Sequence, residues 1–289
     1  MDSEMKDKLS EMVKNGSIDQ NTFDEILERW NSEKVSAPDD SGKRGEKRSR
    51  SIRVSGSSHL SDVFADELHV SGSVHVDGNV DSSVIRISGS GHFEGDVKSG
   101  ESMEVSGVAN VNGDISAKSV ASSGSLVGKS IVCMNLESSG SLKVTEGLVS
   151  DTVDSSGSLA SRSITGKEIR SSGSIRAGLV EGSEIYISGM VKSDHVKCRR
   201  IEIEVVGGKS EIGTLETDVS DIRRGGWRSR SDVITIDEVK CTRGYFEGLR
   251  SKSVVGEDLV FSEGCKIEYA EGKTIKEEKG AMVKEKKVL

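Results

Sequence analysis

From residue 52 onward apolar and polar residues alternate in short bursts, and the bursts recur at a near-constant interval. One apolar column runs through Ile52, Leu68, Ile85, Met103, Val120, Leu136, Val153, Ile169 and Ile185. A second runs through Ser58, Val74, Gly91, Ala109, Leu126, Leu142, Leu159, Ile175 and Val191, and a third through Val63, Val80, Val97, Ile115, Ile131, Val149, Ile164, Val180 and Val196. The residues between them, such as His69, Arg86, Glu104 and Arg170, are polar, which is the period-two pattern of strands with one dry face. Three columns per interval predict three short strands per turn of a parallel solenoid with a roughly triangular section.

Punctuation between the bursts agrees. Ser-Gly pairs place glycine at 56, 72, 89, 107, 124, 140, 157, 173 and 189, a step of 16 to 18 residues. That step is too short for a βαβ unit and suits one coil of a solenoid. Glycine at a corner is expected to allow a backbone angle that a β-carbon penalises, with the neighbouring serine hydroxyls satisfying corner amides. The pattern loosens after Met190 but persists to about residue 270, giving about thirteen turns over 52–270. The one proline, Pro38, lies outside this region, as strands that donate on every turn require.

Both ends of the chain read differently. Within residues 1–31, Met5, Leu9, Met12 and Val13, then Phe23, Ile26, Leu27 and Trp30, recur at helical spacing around Asn15-Gly16-Ser17. This predicts a helical hairpin too small to bury its own stripe, so Leu9, Met12, Phe23, Ile26, Leu27 and Trp30 are candidate contacts to a helical partner or a second copy. Gly16, Ile18, Asp19 and Phe23 give it a resemblance to the SHOCT-type short terminal module. Residues 32–51 read as a flexible linker, and Lys43, Arg44, Lys47, Arg48, Arg50 and Arg53 face one acid, Glu46. The cluster reads either as a solvated tether or as a contact to an anionic membrane. Residues 271–289, with six Lys and four Glu, are expected to form a disordered tail.

Composition narrows the classes. Hydrophobic residues are 33% and aromatics 3%, too few for a large conventional core. A net charge of −8 argues against a nucleic-acid partner. The N-terminus lacks a signal-peptide pattern and no eighteen-residue apolar run occurs, so a cytoplasmic location is expected. Cys133, Cys198, Cys241 and Cys265 match no zinc or redox spacing and are expected as reduced core or surface residues.

Candidate chemistry is sparse. His59, His75 and His92 stand at one position of three consecutive turns and are expected to stack on an outer face. No cysteine or carboxylate continues that column, so it reads as a surface ladder without metal or cofactor. Clustered catalytic groups, long cleft-forming loops, a six-residue acyltransferase repeat and a Walker loop are all missing, so no enzyme is expected.

The steps Val76-Asp77-Gly78-Asn79-Val80, Phe93-Glu94-Gly95-Asp96-Val97 and Val111-Asn112-Gly113-Asp114-Ile115, in a compact Ser-Gly-Ser solenoid, resemble the bactofilin family. That resemblance implies a right-handed three-sided β-helix that polymerises end to end without nucleotide, as a cytoskeletal filament. Terminal turns with unpaired backbone groups favour self-association for the same physical reason. Trp227, Tyr245, Phe246, Phe261 and Tyr269, half of all aromatics, are candidates for an end interface or for a plug closing the core. The rival reading is a non-polymerising scaffold that docks a partner through the hairpin.

Overall fold

The computed structural model describes residues 49–206, 208–225 and 233–289, which build a parallel β-solenoid of about 14 turns. Every pairing among the described strands is parallel, and each residue meets its equivalent one turn on: Ile52 pairs Leu68, Leu68 pairs Ile85 and Ile85 pairs Met103. Backbone hydrogen bonds therefore run along the rod, whose length is roughly 65 Å at about 4.8 Å per turn. The helical hairpin, with Leu9, Met12, Phe23, Ile26, Leu27 and Trp30, lies outside the described residues. So do Lys43, Arg44, Lys47, Arg48 and Trp227. Arg50 and Arg53 belong to the first described strand, Ser49–Val54, so the rod begins within the expected linker.

The core is a narrow stack with six inward columns. Each of three segments per turn turns two residues inward, as in Val80 and Ser82, Ile85 and Ile87, and Val74 and Val76. The three columns read from sequence are one of each pair. Their partners include Ser122, Ser138 and Ser155, buried in register and too small and polar to register as core in the sequence. One expected inward residue differs: Leu148, in register with Ile131, is buried, and Val149 beside it faces the other way. In this thin core two of the three buried phenylalanine rings, Phe93 and Phe246, stand over a glycine two residues before them. A β-carbon on Gly91 would lie 2.5 Å from the Phe93 ring, and one on Gly244 would lie 2.3 Å from the Phe246 ring.

The Ser-Gly corners are glycine for a reason other than backbone angle. None of them has positive φ. A β-carbon on Gly72 would instead stand 2.1 Å from the Gly56 carbonyl oxygen, and the same overlap, at 1.9 to 2.2 Å, recurs for each later glycine up to Gly189. Those carbonyls accept from the next turn, as when Ser73 N donates to Gly56 O at 2.8 Å, so the backbones are drawn into contact that only glycine allows. Corner amides are served by carbonyls of the adjacent turn: Ser71 N and Gly72 N both donate to Val54 O. A serine hydroxyl serves a corner amide at Gly173, whose N–H donates to Ser171 Oγ at 3.3 Å, while at a different corner serine hydroxyls serve carbonyls. There Ser99 and Ser150 donate to carbonyls of the previous turn and of their own. Among the described residues positive φ appears at Gly208 (157°) and, nearer the C-terminal end, at Gly248, Gly264 and Gly280 (68°, 81° and 91°).

The Gly-Asn/Asp steps carry a second ladder. Asp62 Oδ1 accepts from Asn79 N at 2.7 Å, Asn79 Oδ1 from Asp96 N at 2.9 Å, and Asp96 Oδ1 from Asp114 N at 2.7 Å. Each side chain folds under the glycine of the next turn, and a β-carbon on Gly78 would be 2.0 Å from Asp62 Oδ1. Among the described residues no such side chain lies beneath the first turn, which carries Ser61 where the next three have Gly78, Gly95 and Gly113.

Beyond Met190 the described strands go on pairing in parallel, turn to turn. The loosened sequence register reflects two long steps: Lys192 pairs Glu211 nineteen on, and Thr214 pairs Glu238, a step of 24 residues that includes 226–232, whereas Arg250 pairs Lys266 sixteen on. The expected tail is part of the rod. Strands Thr274–Glu277 and Met282–Val288 pair with Asp258–Phe261 and Lys266–Gly272. Backbone pairing holds them, since most of their side chains are charged and exposed. No helix among the described residues is long and apolar enough to cross a membrane.

Candidate functional site

At the first described turn the inward columns lie open. Ile52 and Leu60 are partly exposed, while their register partners Leu68 and Val76 are fully buried. A β-carbon on Gly56 would meet nothing within 4 Å, in contrast to its eight equivalents above it. At the other end Ile275 and Val283 are partly buried over Leu259 and Ile267, which are buried. Among the described residues, strands Ser49–Val54 and Ser57–Leu60 pair on one side only, as do Thr274–Glu277 and Met282–Val288. Each such turn offers a row of backbone donors and acceptors around an apolar centre, a surface that another turn of the same kind complements.

The late aromatics divide between core and flank. Phe246 and Phe261 are completely buried, in register, with ring centroids 5.5 Å apart, so they fill the core and present no contact surface. Tyr245 and Tyr269 are half-buried on the flanks. Arg223 lies over the Tyr245 ring at 5.4 Å, and the Tyr269 hydroxyl donates to Glu271 at 2.5 Å. The sequence did carry a signal for one of these rings: Gly91-His92-Phe93 and Gly244-Tyr245-Phe246 are the same glycine-spaced step.

The histidines stack as expected, His59 to His75 at 4.8 Å and His75 to His92 at 5.0 Å between centroids. Two carboxylates join them that a search along the column alone misses, because they stand two residues further along the same strand face. His59 Nε2 is 2.6 Å from Asp77 Oδ2, and His75 Nε2 is 3.1 Å from Asp77 Oδ1. His92 Nε2 is 2.8 Å from Glu94 Oε1, whose other oxygen accepts from Asn112 Nδ2 at 2.6 Å. The hydrogen bond to His59 holds the Asp77 carboxyl below its ordinary range, and those from Asn112 and then His92 do the same for Glu94.

A shallow groove of about 1110 Å³ runs along one flank, from Ala121 to Glu247. Its floor includes the outward column Glu137, Asp154, Arg170 and Tyr186, in register on successive turns. Its arginines are matched by acids: Arg170 with Glu168, Arg200 with Glu202 at 2.5 Å, and Arg223 with Asp221 at 2.8 Å. Arg224 closes the far end, donating through Nη2 to the Glu263 carbonyl at 2.9 Å. The four cysteines are free, three of them buried. Burial pushes the thiols of Cys133, Cys198 and Cys241 up to about 12.

No family model, curated protein or solved structure matches this chain.

Proposed function

We propose that the chain is a structural, non-enzymatic protein of the bactofilin type, a right-handed three-sided rod that associates end to end without nucleotide in the cytoplasm, with its N-terminal hairpin as an accessory module. The observation that carries this reading is the open first turn, where Ile52, Leu60 and Gly56 have no covering layer among the described residues. Covering such a turn buries apolar surface and pairs a full set of backbone groups at once, so stacking is favoured by both terms. Head-to-tail contact between two different ends does not close on itself and propagates as a filament.

Negative-stain electron microscopy and sedimentation velocity on the full chain test this. Filaments or elongated multimers are expected for the wild type. The double variant Ile52→Lys, Leu60→Lys should give single rods with an unchanged far-ultraviolet circular dichroism spectrum. Single wild-type rods at every salt concentration, both with residues 1–48 present and with them removed, would overturn the proposal.

A further inference from the structure

We propose that the histidine ladder binds one divalent transition-metal ion of the zinc type, held by His59, His75 and Asp77 or by His75, His92 and Glu94. Each set contributes two imidazole nitrogens and one carboxylate oxygen, and within each set the ligand atoms lie within 4.8 Å of one another. A tetrahedral zinc ion with bonds of 2.0–2.1 Å needs ligand atoms about 3.3 Å apart. The His–carboxylate separations, 2.6 and 3.1 Å to the two Asp77 oxygens in the first set and 2.8 Å in the second, are near that value, and the remaining ligand pairs lie within 4.8 Å. The side chains are between 37% and 66% exposed, so small side-chain rotations admit the ion without moving backbone.

The frame beneath the ligands is rigid. The histidines stand on strands Ser57–Leu60, Ser73–Val76 and Ser90–Phe93, paired in register, with Val74, Val76 and Phe93 buried directly behind them. Ligands at fixed spacing on a packed sheet lose little freedom on binding. Imidazole with a single carboxylate selects zinc, nickel or copper over magnesium or calcium, which prefer oxygen. Three protein ligands leave a fourth position for water. Both sets need His75, so they compete for it and the expected stoichiometry is one ion per chain. An ion in either set ties two successive turns together at the end of the rod where the first turn is open.

Isothermal titration calorimetry of zinc chloride into the full-length, chelator-treated chain tests the proposal. One equivalent should bind, and magnesium chloride should give no binding. His75→Ala and His75→Gln should each weaken zinc binding by about 10–100-fold or more. His59→Ala and His92→Ala singly should keep one equivalent, because one set survives in each, and the double variant should behave like His75→Ala. His195→Ala, remote in sequence and beside Glu216, should bind as the wild type does. Circular dichroism establishes that each variant is folded; if His75→Ala is not, the His59→Ala, His92→Ala pair carries the same test. No zinc uptake by the wild type, or unchanged affinity and stoichiometry in the His75 and double variants, overturns the proposal.

Discussion

Gly124 sits so close above Gly107 that a β-carbon on it would lie 1.9 Å from the Gly107 carbonyl oxygen. Gly56 occupies the same corner of the first described turn and would meet nothing. Gly124→Ala must therefore push two turns apart, and a loss of about 1–3 kcal/mol or more is expected, as for overpacking in a tight interior. Gly56→Ala should melt with the wild type. Equal melting temperatures for the two variants would contradict the stacked-glycine explanation. Gly56→Val should likewise fold, while blocking association through that end.

Asn79 supplies the acceptor for the Asp96 amide across one turn. Asn79→Ala should cost about 1 kcal/mol, the net value of one such bond. Asn79→Asp, which keeps the acceptor oxygen, should cost less. Hydrogen exchange gives the local readout: Asp96 N–H should exchange faster in the alanine variant, with amides several turns away unchanged.

Phe261 is buried against Phe246, so Phe261→Ala should destabilise by about 3–5 kcal/mol, the range for large-to-small changes at packed aromatic sites. Tyr269→Ala removes a half-buried ring and one hydrogen bond to Glu271, and should cost much less. Urea denaturation of the two variants gives the comparison. A larger effect at Tyr269 than at Phe261 would contradict the core assignment.

Cys133, Cys198 and Cys241 are held protonated in the fold, their thiols raised from an ordinary 9.0 to about 12 by burial. The unfolded chain ionises first. Their contribution to stability is thus complete below pH 9 and is lost as pH rises from 9 towards about 12. Thermal melts should show a falling midpoint across that window, with a shallower fall in the Cys133→Ala, Cys241→Ala double variant. Native protein at pH 8 should also label slowly with iodoacetamide at these positions compared with protein in denaturant.

Much of the fold was legible because a solenoid writes the same instruction many times. Ile52, Leu68 and Ile85 identify their column by apolarity alone, and the Ser-Gly period gives the length of a turn. The columns that escaped are those filled by Ser138, Ser155 or Cys133, where a small side chain suits a thin core and hydrophobicity gives no sign of burial. The final strands escaped for another reason. A turn with one neighbour is held by backbone bonds, so Lys284, Lys286 and Lys287 tell nothing about whether their segment is ordered. At the histidine ladder the column was plain, but Asp77 and Glu94 enter it diagonally, from two residues along the strand and one turn across.

The corners also make length a discrete quantity. Ser138, Ser155 and Ser171 are register partners, each followed by the same Ser-Gly-Ser corner. Excising residues 139–171 joins Ser138 to Ser172 and restores Ser-Ser-Gly-Ser at the junction, leaving both ends of the rod as they were. The shortened chain should be about 10 Å less in extent, two strand spacings. Duplicating the same segment should add as much. Such a molecule works as a ruler whose divisions are cut in the gene, one corner at a time.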